Sequence, residues 1–377
     1  MIRVLFVDDD PAVLAGLERS LRPQRERWEM DFVDRADRAM ARIRQHRYHV
    51  VVSDMNMPGT DGPALLRAVR DESPTTVRII LSGYSAQRSA VRSLAVAHTF
   101  LAKPCDPALL EAAIDRASLV EAMLANCPLR AELGGAGCLP SPPSSMLSLQ
   151  SVIARDGDQV EIADVIASDP AMCSKVLQVV NSAFFGLPRA VSDPREAVAF
   201  LGIDTIRDLV MSTEVFGAAG RGTDAAAACI ETLQRRATVR ADRAFELARL
   251  AGLDTRSARE VGMGAFLADV GALLVVSVDP SRAAAVIADD GTTDDPILHC
   301  VPAAGAGLLR LWGLPNDIVE TVALAREPWA APGSSGAVFT YLANRLTPEE
   351  GRPDALTTDM LHIVGLTYAA VRELVTA

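Results

Sequence analysis

His49-Val50-Val51-Val52-Ser53-Asp54-Met55-Asn56-Met57-Pro58-Gly59 is an apolar run that ends on a carboxylate and breaks into a turn. A short apolar run bounded by turn residues reads as a strand buried on both faces. Working outward, Ile2 to Val7 reads as another buried strand, ending in Asp8-Asp9-Asp10, with Pro11 at a first helical position and Asp10 as its cap. Val77 to Leu81 ends in Ser82-Gly83, and Thr99-Phe100-Leu101-Ala102 ends in Lys103-Pro104. Four strand ends therefore present an acidic cluster, a carboxylate, a hydroxyl and an ammonium. In an open parallel sheet of alternating strands and helices, ligands gather at the carboxyl ends of the strands, so these groups converge on one crevice.

That set of groups suits one chemistry. A carboxylate that attacks a phosphoryl group needs its own charge, and that of the incoming phosphate, offset by a hard cation on oxygen ligands. Asp8, Asp9 and Asp54 can supply the oxygens, and magnesium fits because it accepts one or two carboxylates with waters and phosphate oxygens. Lys103 and Ser82 can stabilise the oxygens of the transferred group by position and electrostatics.

On these motifs, residues 1 to about 120 resemble the receiver domain of bacterial two-component response regulators, an α/β flavodoxin-like fold with a five-stranded parallel sheet. The resemblance implies that Asp54 is the phosphoacceptor, that Asp8 and Asp9 are the acidic metal pair, and that the backbone carbonyl of Asn56 is the third protein ligand to magnesium. It further implies that Ser82 and Lys103 contact the phosphoryl group. Phe100, three residues before the lysine, takes the place of a switch aromatic that turns inward on phosphorylation. The implied donor is a sensor histidine kinase or a phosphotransfer protein.

A chain of 377 residues has room for two or three domains, so one receiver leaves most of it to be read. The six cysteines (Cys105, Cys127, Cys138, Cys173, Cys229, Cys300) show no C-x-x-C pair and no framework spacing, which reads as reduced thiols in a cytoplasmic protein. The N-terminus opens into a strand without a secretory pattern, and the longest unbroken apolar run, Val270 to Val278, falls short of the roughly 20 residues of a membrane span. A soluble, intracellular chain with no membrane partner is expected. A net charge of -11 weighs against general nucleic-acid binding, which rests on clustered Lys and Arg, and no C-terminal helix-turn-helix is evident, so no direct DNA binding is expected.

Asp106-Pro107 starts a helix whose apolar residues Leu109, Leu110, Ala113, Ile114, Ala117 and Val120 recur at helical spacing, running to about Ala125. Gly134-Gly135-Ala136-Gly137 and the Pro- and Ser-rich stretch after Leu139 mark a junction, which divides the chain into residues 1–121, a linker at 122–138 and residues 139–377. Beyond the junction the apolar period stays near 3.6, with Asp-Pro starts at Asp169-Pro170 and Asp193-Pro194. Leu139-Pro140-Ser141-Pro142-Pro143, Ser168-Asp169-Pro170, Lys175-Val176-Leu177, Val180-Asn181-Ser182-Ala183-Phe184-Phe185-Gly186, Ala197-Val198, Leu201-Gly202 and Trp312-Gly313-Leu314-Pro315 resemble, in that order, the HDOD domain, an all-α output domain.

The resemblance relates this part to the HD phosphohydrolases but with their metal ligands lost. The enzyme's His-Asp pair falls at Ala268-Asp269, its upstream histidine near Arg235 and Arg236, its downstream pair near Ala325-Arg326, and His299 is one retained candidate. One Asp and one His cannot hold the metal that would activate a water. Asp269 reads instead as a carboxylate bonded to backbone or Arg, His299 as a cap or buried hydrogen-bonded group, Asn181 as a helix C-cap, and Phe184 and Phe185 as core. The expected function is a phosphorylation-controlled regulator with a non-catalytic output that acts through a downstream signalling protein, with homodimerisation as one form the switch can take. The alternatives are a receiver-controlled phosphohydrolase of cyclic di-GMP or another phosphoester, disfavoured by the missing histidines, and a phosphate sink without output.

Overall fold

A computed structural model of the chain describes all residues except 84–95, 137–138, 183–184, 186, 188, 212–222, 290–293, 332, 347–354 and 372–377. The N-terminal part is one sheet of five parallel strands, β1 (Ile2–Val7), β2 (Trp28–Val33), β3 (Val50–Asp54), β4 (Val77–Gly83) and β5 (Thr99–Lys103), in the order β2-β1-β3-β4-β5. The order in which successive strands are laid down reverses between β1 and β3, and it is at such a switch point that a crevice opens beyond the strand ends. The four expected strands are present, and β3 is buried along its whole length. β2 completes the set at the edge. Its residues Glu29 and Asp31 alternate with Met30 and Phe32, and only Trp28 is fully buried, so the segment lacks the apolar run that marks the inner strands.

The helices start where local chemistry says they should. The Asp10 carboxylate accepts from the Ala12 N–H at 2.8 Å with Pro11 at the first helical position, and Asp106 does the same for Ala108 at 2.9 Å ahead of Pro107–Met123. Asp169 and Asp193 cap Pro170–Val180 and Pro194–Leu201 in the same way. A carboxylate cap satisfies an orphan N–H and lies at the positive end of the helix dipole, and Pro costs nothing where no intrahelical donor is needed.

Among the described residues every helix- or strand-length element after Lys103 is a helix. All eleven residues of Pro170–Val180 are buried, which makes this helix the axis of the C-terminal part. Val270–Val278 crosses Val301–Leu311 at a glycine pair: a Cβ on Gly271 would lie 2.0 Å from the Val301 carbonyl oxygen, so only glycine permits the approach. Together the two segments Thr255–Phe266 and Val270–Val278, with the turn between them, give 24 residues long and apolar enough to cross a membrane, and 78% of their most apolar 18-residue window is buried inside the protein. The unbroken run alone understates that length, because Thr255–Phe266 interleaves its apolar residues with polar ones.

One continuous apolar core runs from the sheet into the helical part, and a smaller one lies under the C-terminal helices. The joint between the two parts has both apolar and polar contacts. Gly307 lies against Val120, Leu124 and Leu133, so the helix Val301–Leu311 packs on the end of Pro107–Met123 and on the following helix Arg130–Gly135. Gln178 Nε2 donates to the His98 carbonyl at 3.0 Å, and the Thr99 hydroxyl donates to the Leu311 carbonyl at 3.1 Å. The helical part thus covers the start of β5. Lys175, itself buried, lies 5.4 Å from the Trp312 ring centroid behind this contact, a cation–π geometry.

One expectation changes here. The structure joins Cys127 to Cys300, two residues that sequence spacing leaves as unrelated thiols, whereas Cys105, Cys173 and Cys229 are free and Cys138 lies outside the described residues. Phe100 is buried at 2% exposure, and the helical part covers this edge, with His98, Thr99 and Leu101 beside it buried too.

Candidate functional site

The crevice beyond the sheet collects the expected groups. Asp54 is the last residue of β3, Lys103 the last of β5, Asp8 follows β1 directly, and Ser82 is next to last in β4. Lys103 Nζ lies 2.6 Å from Asp8 Oδ2 and also pairs with Asp54 Oδ1. One ammonium therefore holds two buried carboxylates from different strands. Their other oxygens are fixed by the backbone: Asp8 Oδ1 accepts from the Asp10 N–H at 3.0 Å, and Asp54 Oδ2 from the Asn56 N–H at 2.8 Å. Gly62 closes the back of the site. A Cβ there would lie 2.1 Å from the Asp54 carbonyl oxygen, and the Gly62 N–H donates to the Met55 carbonyl at 3.0 Å.

Electrostatics follow from this geometry. Burial pushes the Asp8 carboxyl above the usual carboxylate range, and the hydrogen bonds from Lys103 and the Asp10 N–H only partly offset it. Burial alone would lower Lys103, but its hydrogen bonds to Asp54 and Asp8 prevail and the ammonium is raised. Four aspartates (Asp8, Asp9, Asp10, Asp54) lie at the ends of β1 and β3 against this one lysine, so the crevice carries surplus negative charge.

That surplus is the fit for a hard cation. Among the described residues no group of three or more His, Cys, Asp or Glu side chains forms a ready cage. Magnesium does not require one, since one or two carboxylates with waters and phosphate oxygens suffice. Asp8 is buried and lysine-bound, while Asp9 and Asn56 are exposed at the rim. Ser82 is brought to the site but faces sideways: its hydroxyl donates to Met55 Sδ at 3.3 Å.

The C-terminal part places the other singled-out residues. Asp269 carries an arginine on its carboxylate, as expected: Arg240, with Nη2 at 2.9 Å from Oδ2. Arg240 is buried in Asp224–Leu250 and also donates from Nε to the Ala265 carbonyl at 2.7 Å. Arg236 reaches the Ile287 carbonyl instead, and Arg326 the Leu298 carbonyl. His299 is exposed in the last turn of the short helix Pro296–His299, so of the two readings the buried one falls and the helix-end one remains. Asn181 is the C-cap of Pro170–Val180, and its amide brackets Val191, donating to its carbonyl at 2.7 Å and accepting from its N–H at 2.6 Å. Phe185 packs against the core and meets Phe200 edge-on, while Phe184 lies outside the described residues.

Sequence reading missed Gly62, Arg240 and the Gln178 and Thr99 contacts. A glycine directly after the cap Asp61 is a visible signal for the first; the others depend on which helices meet.

The HDOD domain model matches residues 139–328, half of the chain, and the response regulator receiver domain model matches residues 4–115. The hydrogenase transcriptional regulatory protein HoxA of Cupriavidus necator is 24% identical over 233 residues, 57% of this chain and 48% of that protein. The transcriptional regulatory protein ResD of Bacillus subtilis is 28% identical over 34% of this chain and 54% of its own length. The photosynthetic apparatus regulatory protein RegA of Rhodovulum sulfidophilum is 29% identical over 40% of this chain and 71% of its own. The chain thus spans about half the length of the first two. The solved structure of the MmoQ response regulator from Methylococcus capsulatus is 20% identical and covers 64% of this chain and 98% of that one, with a TM-score of 0.48. Because its model matches half of the chain, the chain belongs to the HDOD domain family, and it carries a response regulator receiver domain ahead of its HDOD domain.

Proposed function

We propose that this protein is a two-component response regulator in which phosphorylation of Asp54 controls a non-catalytic HDOD output. The observation that carries the reading is Lys103 held between Asp8 and Asp54 at the ends of three strands. The Asp54 carboxylate attacks the phosphorus of a phosphohistidine on a sensor histidine kinase or phosphotransfer protein. A P–O bond forms, the P–N bond breaks, and the imidazole leaves with the electron pair. Lys103 is placed to transfer its hydrogen bond from the carboxylate to a phosphoryl oxygen, and Ser82 to turn from Met55 toward another. Asp8, Asp9, Asp54 and the Asn56 carbonyl would hold magnesium, which neutralises charge on the phosphoryl oxygens when bound.

Phosphorylation adds about -1.5 to -2 charges and three acceptor oxygens at Asp54. Drawing Lys103 toward them pulls on the end of β5, whose beginning carries the Thr99 and Gln178 contacts to the helical part. The switch therefore acts on the joint between receiver (1–121), linker (122–138) and output (139–377). The output binds a downstream signalling protein in the cytoplasm and not DNA, with homodimerisation as an alternative form of the released state. Arg240 on the Asp269 carboxylate supports the non-catalytic reading, since a guanidinium takes the oxygen that a metal would need.

The test is hydrogen exchange on the full chain with magnesium and fluoroberyllate as phosphate mimic. Altered protection at residues 96–103, 170–180 and 301–311 supports the proposal. Unchanged protection at all three, with the mimic bound, contradicts it. Hydrolysis of cyclic di-GMP by the full chain would favour the enzyme reading instead.

A further inference from the structure

We infer that Cys127 and Cys300 form a reversible thiol–disulfide pair, giving the protein a redox input separate from the phosphoacceptor. The two residues are 173 positions apart in sequence, yet their Cα atoms are 5.9 Å apart, a separation that a disulfide bridges without backbone movement. Cys127 lies in the turn after Pro107–Met123, largely buried, with its N–H on the Leu124 carbonyl at 3.0 Å. Cys300 is the N-cap of Val301–Leu311, an eleven-residue helix, and is partly exposed.

Those positions give the two sulfurs different roles. Cys300 is partly exposed whereas Cys127 is largely buried, so Cys300 is the attacking group. Its partial exposure admits a small disulfide, and Cys127 waits beside it as the resolving thiol. In the first step the Cys300 thiolate attacks a low-molecular-weight disulfide and expels one thiolate, leaving a mixed disulfide. In the second the Cys127 thiolate attacks the Cys300 sulfur and expels the other. Two protein thiols lose two protons and two electrons, and one external disulfide becomes two thiols. The free cysteines differ: burial pushes Cys105 up to about 11, and burial also raises Cys173 and Cys229.

The bond lies where it can act on signalling. The helix Val301–Leu311 has Cys300 at one end and the Leu311 carbonyl, bound by Thr99 of β5, at the other. Between them Gly307 rests on Val120, Leu124 and Leu133. Oxidation fastens this helix covalently to the extension of the receiver's last helix, whereas reduction leaves only the apolar packing and hydrogen bonds. In a reducing compartment such a bond is transient and sensing.

The experiment uses the full chain, treated with oxidised glutathione or with a dithiol reductant, then digested without reduction and mapped by mass, with hydrogen exchange measured in parallel. Expected are a linked Cys127–Cys300 peptide pair, lost on reduction, and exchange across Val301–Leu311 slowed by about tenfold in the oxidised chain. Cys300→Ser abolishes the redox difference and Cys173→Ser retains it. The inference is overturned if both cysteines alkylate as free thiols after oxidation of a chain with native circular dichroism. It is equally overturned if the linked pair leaves exchange in the helix unchanged, or if Cys300→Ser keeps the difference.

Discussion

Replacing Lys103 by methionine keeps most of the length of the side chain and removes the charge between Asp8 and Asp54. At the 2.6 Å separation from Asp8 and an effective dielectric of 20, the Coulomb attraction is about 6 kcal/mol. Desolvation of the three groups offsets much of that, and removing one partner of a buried pair costs about 3–5 kcal/mol net. Lys103 is 25% exposed while the Asp8 side chain is 2% exposed, so water screens only the lysine side; a loss of roughly 2 kcal/mol is expected in the absence of magnesium. The two uncompensated carboxylates then become a better cation site, and magnesium should stabilise Lys103→Met more than it stabilises the parent protein. The assay is urea unfolding followed by circular dichroism, in chelator and in magnesium, for both proteins. Equal stability in chelator, or an equal magnesium increment in the two, would refute the reasoning.

Three further outcomes follow from the same structure. Asp8→Asn should raise stability in chelator: burial lifts the Asp8 pKa on folding, so its contribution is fully present below the unfolded-state pKa and is lost as pH rises through the folded value, and the amide removes that loss; unfolding midpoints on either side of the carboxylate range check it, together with a weaker response to magnesium. Gly62→Ala, whose Cβ would meet the Asp54 carbonyl oxygen at 2.1 Å, should cost about 1–3 kcal/mol and slow phosphorylation by a small donor, read by unfolding and by labelling time courses. Leu177→Ala, fully buried in Pro170–Val180, should cost about 2–5 kcal/mol in a thermal or urea melt while leaving receiver phosphorylation intact.

The parts of this protein that local sequence determines were legible, and the parts that depend on long-range packing were not. Inner strands announce themselves as apolar runs, and Asp10-Pro11, Asp106-Pro107 and Asp169-Pro170 announce helix starts, because a cap acts within two or three residues. β2 hides because this edge strand alternates charge with apolar residues, whereas the other edge, β5, is covered by the helical part and stays apolar. Arg240 shows the limit well: it lies one turn beyond Arg236 on the same face of one helix, so spacing alone cannot choose which of them meets Asp269. The sheet's crevice was readable because each strand end carries its functional residue in a fixed place. Burial of Phe100 and the pairing of Cys127 with Cys300 were not, since both depend on how helices far along the chain cover the receiver.

Phosphoryl transfer to Asp54 is the central claim, and direct labelling tests it. Incubation of the full chain with acetyl phosphate and magnesium should add one phosphoryl group to the intact mass. The adduct should be labile to hydroxylamine, map to the peptide containing Asp54, and be absent from Asp54→Asn. A folded protein that gains no such mass, or gains it equally in Asp54→Asn, would contradict the account.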